Sequence, residues 1–108
     1  MVDQSVVSTV QKYLHTLEKQ GVDSCYAIVY GSQVKGLQHP LSDIDVLVIS
    51  PSFDKSLKRE HVNLLWRVAA RTDSRIEPIP VGSRQYELDD SSAIIEIARR
   101  EGEIISLA

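Results

Sequence analysis

The chain predicts an α/β fold, a small mixed β-sheet packed with helices, and three observations carry that prediction. Apolar residues recur at helical spacing in three stretches, short β-branched runs lie between them, and the order is helix, strand, strand, helix, strand, helix, strand. With 108 residues there is room for one core of ordinary size, so residues 1–108 read as a single domain without repeats or linkers.

The first helix is written in "SVVSTVQKYLHTLEKQG", where Val6, Val7, Val10, Tyr13, Leu14 and Leu17 share one face and Gly21 supplies the stop. Residues 24–30, "SCYAIVY", form a β-branched and aromatic strand expected to be covered on both faces. A polar loop spans 31–42. "DIDVLVIS" then gives a second strand, with Ile44, Val46 and Val48 on one face and Asp43, Asp45, Leu47 and Ile49 on the other; it should lie beside the first.

After "PSFDKS", helical spacing returns from Leu57 to about Thr72, with Asp54 or Ser56 as the expected cap and Trp66, beside the apolar stripe, read as core. "RIEPIPV" is a third strand that Pro78 and Pro80 push toward an edge or a bulge. "GSRQYELDDSS" reads as a polar connector. Asp90, Ser91 or Ser92 caps a last helix, "AIIEIARRE", which Gly102 ends, and "EIISL" is a short fourth strand.

An apolar fraction of 43% and a charged fraction of 25% are ordinary for a soluble domain. The formal net charge of −3 argues against general nucleic-acid binding, which leaves a basic surface. Cys25 is the single cysteine, which excludes a disulfide framework and fits a reducing compartment. "MVDQSVVSTVQ" lacks the basic and apolar regions of a secretory leader, and no segment has the length of a membrane span. The expectation is a cytoplasmic protein with no membrane partner.

Two acids one residue apart on a strand point the same way, with Cα atoms roughly 6.5 to 7 Å apart, so Asp43 and Asp45 present two carboxylates to one spot. Alone they repel, and such a pair raises a pKa or recruits cations. Hard divalent ions favour these oxygens and share their shell with substrate phosphates. A bare D-x-D is common at strand starts, and the upstream loop gives this one its weight. Gly31 allows close backbone approach to a ligand, Ser32 adds a hydroxyl, and Gly36 is a second permissive point. Neither G-x-G-x-x-G nor a Walker A sequence is present.

The string Gly31-Ser32-x-x-x-Gly36, five residues, then Ser42-Asp43-x-Asp45 on a strand resembles the signature of the minimal nucleotidyltransferases of the DNA polymerase β superfamily, and the likeness extends over nearly the whole chain. It implies that fold, with Gly31 and Ser32 around a triphosphate; Lys35, the loop's one cation, reads either as a phosphate contact or as a solvated loop residue, and Ser42 is a further binding candidate that also suits capping the strand entrance. It implies Asp43 and Asp45 as ligands of two magnesium ions. In a two-metal site such ions lie about 3.5 to 4 Å apart and favour the attacking and leaving oxygens. The third carboxylate falls on Glu77, with Asp73 and the Asp89/Asp90 pair as poorer candidates. The family usually has aspartate there, and Pro78 follows Glu77 here.

The activity implied is transfer of a nucleoside monophosphate, AMP from ATP, to a hydroxyl. The acceptor implied belongs to a helical HEPN-type partner of a toxin-antitoxin pair, with a homo-oligomer as the other arrangement. The competing reading is a catalytically impaired nucleotide-binding or partner-neutralising module of the same fold. His15 and His61 read as surface residues and His39 as a loop residue near the site. Arg99 and Arg100 are explained by the dipole of the last helix.

Overall fold

A computed structural model describes residues 2–36, 39 and 41–107, and in them four strands form one sheet in the order β3-β2-β1-β4. The elements in chain order are α1 (Gln4–Lys19), β1 (Tyr26–Tyr30), α2 (Ser32–Lys35), β2 (Ile44–Ser50), a 3-10 turn at Pro51–Phe53, α3 (Arg59–Thr72), β3 (Ile76–Gly82), α4 (Ser83–Leu88), α5 (Ala93–Glu101) and β4 (Glu103–Ile105). β1 runs antiparallel to both β2 and β4, whereas β2 and β3 are parallel, so the sheet is mixed as expected.

Alternation along the strands divides the interior in two. Ala27, Val29, Ile44, Val46, Val48 and Ile76 meet the buried stripes of α1 and α3, and the Tyr13 hydroxyl donates to the Leu65 carbonyl at 2.9 Å across that helix pair. A buried hydrogen bond of this kind contributes about 1 kcal/mol net, and leaving its carbonyl bare costs more. On the other face Ile28, Tyr30, Leu47, Ile49 and Val81 pack with Ile95 and Ala98 of α5 and with Tyr86 of α4. β1 is thus covered on both sides, as its composition predicts.

β3 is an edge strand, and its prolines fit there. Ile44 donates its N–H to the Arg75 carbonyl at 2.8 Å, which turns the odd-numbered backbone groups of β3 toward β2 and the even-numbered ones outward. Pro78 and Pro80, two residues apart, therefore withhold their missing donors from the unpaired side, and the register to β2 holds from Ile76 to Gly82.

Four local expectations need correction. α3 begins at Arg59, not Leu57, and neither Asp54 nor Ser56 caps it; His61 Nδ1 accepts from the Lys58 N–H at 3.3 Å. His61 also sets its ring edge against Phe53, centroids 5.3 Å apart, so it is half-buried and not a free surface residue. Trp66 is 47% exposed, because Leu65, Val68 and Ala69 take the inward face and leave it on the flank.

The last correction concerns the polar connector, which holds the six-residue helix α4. Its amides at Arg84 and Gln85 donate to the Asp54 carboxylate at 3.0 and 3.4 Å, a cap supplied from thirty residues upstream. Local pattern cannot reveal that cap. Gly82 precedes α4, and a Cβ there would collide with the same carboxylate.

Candidate active site

Residues 31–36 of the polar stretch after β1 form a turn and a short helix. Gly31 adopts φ 79° and ψ −146°, a combination open to glycine alone, and turns the chain sharply into the one-turn helix α2, which Gly36 closes. A Cβ at Gly31 would stand 2.7 Å from Asp45 Oδ2, so the glycine also lets the backbone lie against that carboxylate. Gln33 anchors the turn: almost fully buried, it donates from Nε2 to the Asp43 carbonyl at 3.1 Å and the Ser42 carbonyl at 3.4 Å. Loop and strand start are thereby held in register.

Across the sheet, Tyr30 pairs with Asp45 and Asp45 with Glu77. Partners in register share a face, so the three side chains stand in one row, and Asp43, two residues before Asp45, points the same way. The row lies at the rim of the face that α4 and α5 cover. Asp45 is half-buried; Asp43 and Glu77 are exposed.

Electrostatics register the crowding. Desolvation, then the charge of Asp43, raises the Asp45 pKa above the ordinary carboxylate value. Glu77 is raised as well, by desolvation first and then by Asp43 and Asp45, with a shared hydrogen bond to Asp43 adding to it. Burial, with Asp45 and Glu77 behind it, pushes the Tyr30 hydroxyl up to about 12. Among the described residues no N–H or O–H group donates to the Asp45 carboxylate.

No three His, Cys, Asp or Glu side chains among the described residues form a ready metal cluster. The donor set nevertheless suits a hard divalent cation: carboxylate oxygens only, mutually repelling, with raised proton affinities that a cation would relieve and room for phosphate oxygens and water in its shell.

The other expected residues divide. Ser32 opens α2, whose first amides lack intrahelical acceptors. Lys35 instead reaches away from the carboxylates, its Nζ 3.2 Å from Glu101 Oε1, and that contact holds Glu101 below the usual carboxylate range. Ser42 shapes the loop: its Oγ accepts from the His39 N–H at 2.9 Å, and its own N–H donates to the His39 carbonyl at 2.9 Å. His39 Nδ1 accepts from Leu41 at 3.2 Å. Leu37, Gln38 and Pro40 lie outside the described residues.

Asp73 is bound by Arg75 at 2.8 Å and Asp89 by the Ser91 amide at 2.8 Å, and it is Glu77 that the register sets in the row beside Asp45. Sequence reasoning passed over Tyr30 and Gln33. Tyr30 could have been found by extending the D-x-D face to the neighbouring strand, whereas a buried glutamine in a polar loop leaves no signal. A cleft of about 660 Å³, lined by Pro51, Asp54, Lys55, Arg84, Gln85, Leu88 and Asp89, lies at the other end of the sheet. It takes no part in this constellation, and carboxylates aligned on one face weigh more here than volume.

Comparison with known proteins agrees with the geometry. The model of the nucleotidyltransferase domain family matches residues 10–104. No curated protein matches the sequence. Among solved structures, a crystal structure of a toxin-antitoxin with AMP-PNP is similar at 20% identity and a TM-score of 0.57, over 87% of this chain and 70% of that one. At that identity the likeness is one of fold.

Proposed function

The chain belongs to the nucleotidyltransferase domain family, and from that premise we propose that Asp43, Asp45 and Glu77 hold magnesium and a nucleoside triphosphate for transfer of AMP to a hydroxyl on a partner protein. The observation that carries this reading is the row Asp45–Glu77, with Asp43 on the same side and the Gly31 backbone against Asp45. Magnesium bound there supplies Lewis-acid neutralisation of the triphosphate.

The chain's own groups supply the rest. Gly31 and Ser32 offer amides and a hydroxyl to phosphate oxygens at the turn, and Gln33 keeps that turn fixed to the strand that carries the aspartates. In the reaction the acceptor oxygen bonds to the α-phosphorus, the bond to the bridging oxygen breaks, and pyrophosphate leaves. The acceptor's proton goes to a carboxylate, and Glu77 suits that role because its surroundings favour its protonated form.

The acceptor surface in this reading is a partner's. A helical HEPN-type protein is favoured over a second copy, and the similar fold in a toxin-antitoxin with AMP-PNP supports an antitoxin that modifies its toxin. Incubation with α-labelled ATP, magnesium and the co-purified partner tests this. Label on the partner, lost in Asp43→Ala/Asp45→Ala with an unchanged melting profile, is expected; transfer that survives the double substitution sinks the assignment.

A second reading has its own observation. Glu77 is exposed, and the carboxylates do not already converge as a metal cluster. A partner-neutralising module that binds nucleotide without turnover would protect the partner's target unlabelled, and the double substitution would leave that protection intact.

A further inference from the structure

Between α1 and α3, on the side of the sheet opposite the carboxylates, runs a groove of about 250 Å³ lined by Lys12, Thr16, Gln20, Leu64, Arg67, Val68, Arg71 and Thr72. Three of these are cations and none is an acid. That is notable in a chain of net charge −3. Elsewhere some cations do find acids: Arg100 meets Glu96 at 3.8 Å one turn away, Lys35 meets Glu101, and Arg75, just past α3, takes Asp73.

Lys12, Arg67 and Arg71 have no ion-pair partner among the described residues. Their helical neighbours three and four positions away include no aspartate or glutamate: Ser8, Thr9, His15 and Thr16 around Lys12; Asn63, Leu64 and Ala70 around Arg67; Val68, Ser74 and Arg75 around Arg71. Arg67 and Arg71 are themselves one turn apart, a like-charge spacing that weakens a helix. The dipole at the C-terminal end of α3 accounts for Arg71 but not for Arg67 or Lys12.

From this juxtaposition we propose that the α1–α3 groove is a second anion site, which takes one or two phosphate groups in the forks of Arg67 and Arg71 with Lys12 as the facing point charge. Guanidinium forks match phosphate oxygens two at a time, and the ammonium adds charge without demanding direction. The Thr16 and Thr72 hydroxyls donate to their own helices, to Lys12 and Val68 carbonyls at 3.2 and 2.9 Å. The donors left to an anion are therefore the three cations and the Gln20 amide. The volume is below that of an ordinary ligand pocket, which limits the occupant to a phosphate or diphosphate moiety and excludes a whole buried nucleotide.

The moiety has two sources, free pyrophosphate or the backbone of a single strand, and one experiment separates them. The full chain, labelled with ¹⁵N, is titrated without divalent cation against sodium pyrophosphate and, separately, against a short single-stranded oligoadenylate. Amide shifts at residues 12–20 and 64–72 are expected, and Arg67→Gln/Arg71→Gln should weaken binding by at least about tenfold, the worth of one charge-assisted hydrogen bond. Asp43→Asn/Asp45→Asn should leave those shifts in place, so this test does not depend on the catalytic assignment.

Equal affinity for the two probes identifies the free ion as the ligand. Tighter oligoadenylate binding with a steeper salt dependence identifies the strand. Shifts confined to residues 30–45, binding unaffected by Arg67→Gln/Arg71→Gln, or no shift at millimolar probe would each overturn the proposal. Lys12→Gln provides a second variant on the other helix, with the same expected loss.

Discussion

The two ends of β2 pose the same local problem and answer it in opposite ways. At its start the Asp45 carboxylate lies against Gly31; just past its end the Asp54 carboxylate lies against Gly82. In both places a glycine makes room for an acid. Asp54 spends its charge at once on the first amides of α4, so it is a structural brace. Asp45 finds no donor among the described residues and faces two further acids instead. A carboxylate with its partners built in holds a fold together, and one left without them is open to a cation from solution.

Substitutions can sharpen this contrast or break it. The largest effect is expected at the open end: Asp45→Ala should lower nucleotidyl transfer by about a hundredfold or more, the scale for one electrostatic contact to developing charge, with no loss in denaturant midpoint. A parallel loss of midpoint and turnover would mean that Asp45 is a brace as well. Next comes Gly82→Ala, which forces a methyl into Asp54 and should cost about 1 to 3 kcal/mol in urea unfolding while transfer per folded molecule is kept.

Asp54→Ala should cost about 1 kcal/mol through the lost cap of α4, and hydrogen exchange should localise the loosening to 83–88. Unchanged exchange there would show that packing alone holds α4.

The smallest effect depends on pH. Asp45 and Glu77 bind protons more tightly folded than unfolded, so their contribution to stability is fully present below the ordinary carboxylate range and is lost as pH rises through their raised values. Asp45→Asn removes the Asp45 share. Its melting temperature should exceed that of the parent modestly at neutral pH and match it below about pH 4. A parent that is more stable than the variant at neutral pH would reverse the sign of the argument.

Much of this contrast was legible in the chain. The alternation of "DIDVLVIS" placed both aspartates on one face, and Gly31 and Ser32 stood out because close backbone approach and a hydroxyl at that spacing before the pair suit phosphate oxygens. Glu77 was named through the family likeness, which expects a third acid on a later strand; that its strand lies parallel to β2 with Glu77 beside Asp45 is a fact of the fold. Asp54 as the cap of α4 did not, since donor and acceptor are thirty residues apart and six helical residues are too few for a period. Lys35 read as a phosphate contact because it sits in the loop; its choice of Glu101 depends on where α5 ends, which is a tertiary fact. The same holds for Trp66, whose spacing put it near the stripe without telling on which side.

The prolines of β3 bear on how this protein can associate. With Pro78 and Pro80 removing two outward donors from that margin, strand addition there is disfavoured, and among the described residues the margin open to lengthening of the ribbon is that of Glu103–Ile105, where Ile104 is 64% exposed. Self-stacking into fibrils needs two open margins per subunit, and the prolines weigh against one of them.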